Sequence, residues 1–120
     1  MAAQGMISRE LAGLFNVLSN PLRVRILVEL RCREVDVNGL QAALGISHSL
    51  VSQHLSVLRA HKLVIERRGG RHVFYQLAHP PLADWILAGL PFLAGLPDDA
   101  GMKKAADEVR EMWKAAAGQA

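Results

Sequence analysis

Residues 45–59 read GISHSLVSQHLSVLR, and the spacing inside this stretch decides the fold. At about 100° per residue, Leu55 and Leu58 fall within about 40° of Val51, so these three form the buried seam of a helix over residues 48–61. Ser47 stands where a hydroxyl accepts from the unpaired N–H groups of a first helical turn. Gly45 readily takes the left-handed conformation that ends a preceding helix. The side opposite the seam holds Ser49, Ser52, Gln53 and Ser56 and is uncharged until Arg59. A merely solvated face collects Glu and Lys, whereas a face that enters a groove walled by phosphates needs small, neutral hydrogen-bonding groups. No acid occurs between Asp36 and Glu66.

On the N-terminal side, VNGLQAAL over residues 37–44 reads as a short helix capped by Asp36 and closed by Gly45. Before it, PLRVRILVELR follows Asn20, a good N-cap, and opens with Pro21, which fits a first helical turn. Leu22, Ile26, Leu27 and Leu30 face inward in this helix. Further back, Ile7, Leu11, Leu14, Phe15 and Leu18 repeat at helical spacing.

On the C-terminal side, VIERR and RHVFYQL are β-prone runs joined by Gly69-Gly70, the composition of a tight hairpin. Arg67, Arg68 and Arg71 cluster at its tip. His79-Pro80-Pro81 breaks the second run. Leu82, Trp85, Ile86, Leu90 and Leu93 form another helical stripe, which Pro91 kinks or ends. A loop over residues 96–99 and a polar, Ala-rich final helix to about residue 116 complete the chain.

The order helix, helix, short helix, tight turn, polar-faced helix and basic hairpin describes a winged helix-turn-helix. The expected fold is mainly α with a small β-hairpin, over residues 1–95, with residues 96–120 a loop and polar helix or tail of the same domain. Residues 48–61 are the reader of a major groove and the hairpin is the wing. Gln53 is the leading base-reading residue, because its amide both donates to and accepts from adenine; His48, Ser49, Ser52 and His54 lie nearby. Ser47, Ser56, Arg59, Arg67, Arg68 and Arg71 are candidates for phosphate contact.

Composition agrees with this reading. With 120 residues, 51% hydrophobic and 21% charged, the chain suits one globular domain with a modest core. Of the net charge of +3, the middle third from 47 to 79 holds five cationic residues against Glu66 alone, together with all five histidines. Such local excess fits a polyanion partner. The 5% aromatic content argues against a base-stacking single-strand binder. No apolar run reaches the length of a bilayer span, and MAAQGMISRE lacks a basic segment leading an apolar one, so a cytoplasmic chain without membrane attachment is expected. Cys32, the single cysteine, forms no internal disulfide and is expected as buried or semi-buried filler near a helix end.

The runs NPLRVRILVEL and LQAALGISHSLVSQHLSVLRAHKLVIERRGGRHVFYQL together resemble ArsR/SmtB-type transcriptional regulators over about residues 18–77. The paired motifs are Ser47-x4-Ser52-Gln53-His54-Leu55-x2-Leu58-Arg59 and Arg67-Arg68-x-Gly70-Arg71-x3-Tyr75. The resemblance implies a homodimer, usually a repressor that leaves its inverted-repeat operator in double-stranded DNA when an effector binds. Its first and fifth helices form the dimer interface, here Ile7, Leu11, Leu14, Phe15 and Leu18 with Leu82, Trp85, Ile86, Leu90 and Leu93. A chain this small leaves two outer helices with faces needing cover, which also favours a dimer.

The family's effector sites do not carry over. Metal-sensing members often place a Cys-x-Cys pair where Asp36 and Asn38 stand, so thiolates for a soft metal are absent. A second familiar site on the fifth helix opens with Asp-x-His, but Asp84 is followed by Trp85 and Ile86, and no histidine occurs after His79. Cys32 alone cannot run a dithiol switch. No metal and no cofactor are expected, and the effector is not written in the sequence. The alternative function is a winged-helix protein-interaction module that no longer binds DNA. An enzyme is the remote reading, since no nucleophile with an adjacent base, phosphate-cradling loop or paired carboxylates is legible.

Overall fold

A computed structural model describes residues 2–95 together with residues 104, 107–109 and 111. Its elements run α1 (Ala2–Val17), α2 (Pro21–Glu29), β1 (Val35–Asp36), α3 (Val37–Leu44), α4 (His48–Ala60), β2 (Val64–Gly69), β3 (His72–Leu77) and α5 (Pro81–Leu87). A 3-10 turn over Leu90–Gly95 follows.

Local capping chemistry sets the helix starts. Asn20 Oδ1 accepts from the backbone N–H groups of Leu22 at 2.9 Å and Arg23 at 3.2 Å, with Pro21 in the first turn of α2. Asp36 Oδ1 accepts from Gly39 N–H at 2.8 Å to open α3. Ser47 Oγ does the same from Leu50 N–H at 3.2 Å to open α4. Between these helices Gly45 sits at φ 68°, so the chain reverses within three residues and packs α3 on α4.

The core gathers the expected seams. Ile26, Leu27, Leu40, Val51 and Leu58 are fully buried, and Leu30, Val35, Leu55, Val64 and Leu77 nearly so. Val28 joins them, whereas Leu22 is only half-buried. Ala83 anchors α5 to this cluster. No single helix among the described residues is long and apolar enough to cross a membrane.

Two expectations change here. The sheet has three antiparallel strands in the order β1-β3-β2, because Val35 and Asp36 pair with Tyr75 and Phe74 on the outer edge of the hairpin. Within the hairpin, Gly69 is a strand residue paired with His72, and the two loop residues are Gly70 and Arg71. Only Gly70 of the two has positive φ, 64°, which is where a two-residue II′ loop takes glycine. The stripe from Leu82 to Leu93 is broken near Pro91, as that proline implies: α5 ends at Leu87 and a 3-10 turn carries Pro91. The expected loop at 96–99 and most of the expected final helix lie outside the described residues; residues 104, 107–109 and 111 are helical.

After α4 the chain turns through Lys62 at φ 60°, the one described non-glycine residue with positive φ. An L-residue pays steric cost in this region that glycine escapes. Lys62→Gly is therefore expected to raise stability by about 0.5–1 kcal/mol, partly offset by the looser unfolded chain. Chemical denaturation at neutral pH measures the change.

Candidate nucleic-acid interface

The exposed side of α4 is uncharged over its first two and a half turns. His48, Ser49, Gln53 and Ser56 are exposed and Ser52 is half-buried. Ser47 Oγ is occupied as the helix cap and lies 3.4 Å from Ser49 Oγ. The first acidic neighbour is Glu66, which Arg59 holds at 2.6 Å and which Tyr75 approaches through its hydroxyl at 3.5 Å. Arg59 is thus fixed at the C-terminal end of α4 and its charge is partly neutralised there. Burial, and then the Glu66 charge, push the Tyr75 phenol above its ordinary pKa, which keeps it a neutral donor.

His54 is corrected as a base-reading candidate. It is buried at 8% exposure, and its Nδ1 accepts from Arg23 Nε at 3.4 Å on the core side of α4. The wheel carries the reason: residue 54 lies about 60° from Val51, on the flank of the seam, and not on the polar arc with Gln53. Burial first, and the Arg23 charge second, lower its pKa below the usual 6.5. The unfolded chain takes up this proton at higher pH than the folded one, so stability rises with pH through 6.5 and falls below it. Denaturant midpoints are expected to be lower at about pH 5.5 than at about pH 7.5; a higher midpoint at the acid end contradicts a buried neutral ring.

Strand alternation splits the wing arginines. Arg68 pairs across the hairpin with Val73 and shares the face of Glu66, Tyr75, Val64 and Leu77, the face turned to α4 and the core. Arg71 is exposed at the loop. Among the described residues no carboxylate lies within ion-pair distance of Arg68 or Arg71. Arg67 is different. It lies on the outer face, 5.0 Å over the Phe74 ring, with Nε 2.6 Å and Nη2 3.1 Å from the two Glu34 oxygens. Its hydrogen bond holds the Glu34 carboxyl below the usual carboxylate range. The expectation that Arg67 stands with the other two at the tip is therefore corrected: it ties the wing to the segment before β1. His72 on the same outer face has Nδ1 3.5 Å from Asp36 Oδ2.

At the other end of the molecule α1 and α5 meet. The Phe15 and Trp85 rings stack at 5.9 Å and 16°. Around them Ile7, Leu11 and Leu93 are exposed, joined by Met6 and by Phe92, which is 85% exposed. The expected interface set divides in two: Leu14, Leu18, Leu82 and Ile86 pack against the chain's own core, and Leu90 is half-buried. Leucines on the inner flank of each helix anchor it, which leaves the aromatic and outer residues as an exposed apolar patch.

The positions matching family effector sites have protein partners. Asp36 is the α3 cap. Asp84 Oδ1 accepts from Arg31 Nε at 2.8 Å and Nη2 at 2.6 Å, which fastens α5 to the segment after α2. Among the described residues no three His, Cys, Asp or Glu side chains converge as a metal cage. Cys32 is exposed, contrary to the expectation of a buried filler.

Comparison with known proteins agrees with this architecture. The model of the bacterial regulatory protein, arsR family, matches residues 20–66. The chain is 41% identical over 71 residues to a transcriptional repressor SmtB homolog of Synechocystis, a match covering 59% of this chain and 54% of that protein. Against the nodulation protein NolR of Rhizobium meliloti it is 37% identical over 93 residues, covering 78% and 75%. A homodimeric winged helix-turn-helix DNA-binding domain from Mycobacterium bovis superposes with a TM-score of 0.66 at 25% identity, covering 80% of this chain and 90% of that one. The chain thus spans about half the length of the SmtB-type relative it matches. A helix-turn-helix with an uncharged exposed face, a basic two-stranded wing and a match to NolR over three quarters of its length lead to one assignment, that this chain belongs to the arsR family of bacterial regulatory proteins.

Proposed function

We propose that the chain is a homodimeric, sequence-specific regulator that binds double-stranded DNA in the cytoplasm, most often as a repressor on an inverted-repeat operator. The observation that carries this reading is the uncharged exposed arc of Ser49, Ser52, Gln53 and Ser56 beside two arginines, Arg68 and Arg71, that have no carboxylate partner among the described residues. In this account α4 enters the major groove and Gln53 reads a base edge, with His48, Ser49 and Ser52 beside it. Arg68 and Arg71 neutralise phosphates, while Ser47, Ser56 and Arg59 approach the backbone from the two ends of α4. The apolar patch of α1 and α5 joins the two protomers, which puts the reader helices in successive grooves about one helical turn apart. The family's repressor names support the regulatory sense, and no metal, cofactor or catalytic step is part of the proposal.

Residue roles separate by experiment. Gln53→Ala should cost about 1–3 kcal/mol on the preferred duplex and relax the preference at one or two base pairs. Arg68→Ala or Arg71→Ala should weaken every sequence alike and reduce the slope of log affinity against log salt by about 1. Fluorescence anisotropy on duplexes carrying single base changes reads both. Exchanged outcomes for the glutamine and the arginines overturn the assignment, and a protein-interaction module would bind none of these duplexes.

A further inference from the structure

Arg23 joins three helices. It projects from the first turn of α2, donates from Nη1 to the Val17 carbonyl at the end of α1 at 3.0 Å, and donates from Nε to His54 Nδ1 on α4 at 3.4 Å. The end of the dimerisation helix and the buried side of the reader helix are thus linked through one guanidinium. His54 is adjacent in sequence to Gln53, so a shift of α4 that displaces the ring also displaces the reading face.

Nδ1 accepts from Arg23 only while it carries no proton. Once protonated it becomes a donor, the hydrogen bond is lost, and two cations face each other across a part-buried contact. Among the described residues no carboxylate lies within ion-pair distance of Arg23 or His54, and Asp84 on α5 is held by Arg31. On α2, Glu29 lies 3.8 Å from Arg25 and 3.8 Å from Arg33, turned away with them. α3 carries no ionisable side chain, and on β2 Glu66 is taken by Arg59 and Arg67 by Glu34, with Arg68 cationic. On α1, Arg9 and Glu10 are exposed two turns before Val17.

We propose, on the basis of the DNA-binding reading above, that Arg23 and His54 are a positioning pair for the reader helix, and that proton uptake at His54 unseats α4 and lowers affinity for duplex DNA. The sign is diagnostic. Added positive charge on an exposed surface strengthens attraction to phosphate, so a loss of affinity caused by His54 has the opposite sign to that general effect.

The test compares the full chain with its His54→Gln variant on a duplex selected from a random pool by the wild type, at about pH 7.5 and about pH 5.5 and constant salt. The glutamine carbonyl accepts from Arg23 and does not titrate. The variant should match the wild type at the higher pH, and the wild type should lose about five-fold or more in affinity relative to it on acidification. Amide exchange, corrected for intrinsic rates, should show α4 losing protection in acid in the wild type and keeping it in the variant. Equal pH responses of the two proteins in affinity and in α4 protection overturn the proposal. If the variant does not fold, ring NMR of the wild type decides: the His54 titration must coincide with loss of α4 protection, and titration without that loss refutes the coupling. A wild type that selects no duplex refutes the DNA-binding reading instead, while the exchange comparison still decides whether the pair positions α4.

Discussion

Gln53→Glu is expected to reduce affinity for the preferred duplex by about 100-fold, which is about 3 kcal/mol. The substitution changes one amide for a carboxylate of the same shape, so any effect comes from charge and from the loss of two N–H donors. Gln53 is exposed in the middle of the uncharged arc of α4. If that arc faces phosphates on both walls of a groove, each protomer of a dimer brings one new anion against them, and juxtaposed like charges cost several kcal/mol. Folding should change by no more than about 0.5 kcal/mol, as for surface substitutions generally. Anisotropy titrations and thermal melts of the same preparation measure the two quantities. An unchanged affinity would mean that α4 does not enter a groove.

Leu58→Ala is expected to have the largest effect on stability, a loss of about 2–5 kcal/mol. Leu58 is fully buried in the cluster with Val51, Leu55 and Leu27, so truncation removes transfer energy and leaves a cavity. Against a total of about 5–15 kcal/mol for a domain of ordinary stability, this is a large fraction. The melting temperature should fall by roughly 10–20 °C. Ser56→Ala, two residues earlier and exposed, should stay within about 0.5 kcal/mol of the parent. Equal losses from the two substitutions would place the wrong side of α4 against the core.

The parts of this molecule that are legible in the sequence are those set by neighbours in the chain. Asn20 with Pro21, Asp36, Gly45 and Ser47 mark helix ends because a cap needs only a side chain and the two or three N–H groups beside it. The seam of Val51, Leu55 and Leu58 follows from periodicity alone. What is not legible depends on distant partners. β1 is two residues long, too short for any alternating pattern, and exists because Val35 and Asp36 meet Tyr75 and Phe74 some forty positions away. The Arg67–Glu34 and Arg31–Asp84 pairs likewise join residues from separate elements, and no local rule matches one charge with another across such spans.

Arg67 and His54 stand elsewhere than expected although local periodicity places both. Alternation in a strand sends Arg67 and Arg68 to opposite faces, a consequence of period 2 that requires no knowledge of distant partners. His54 falls beside the seam on the wheel, and only its polar character suggests the reading face. A histidine in such a flank needs an internal donor, and Arg23 supplies one. At the α1–α5 patch the apolar stripes mark the right helices but not the division within them, because periodicity cannot tell which apolar residues meet the chain's own core and which are left for a partner.

Methylation protection by dimethyl sulfate tests most directly whether the uncharged arc of α4 lies in the major groove. The reagent attacks guanine N7 in the major groove and adenine N3 in the minor groove. With the full chain on its selected duplex, guanine N7 should be protected in two patches about one helical turn apart, and the Gln53→Glu variant should remove both. Protection confined to adenine N3, or no protection under conditions where the duplex is bound, would contradict a reader helix seated in the major groove.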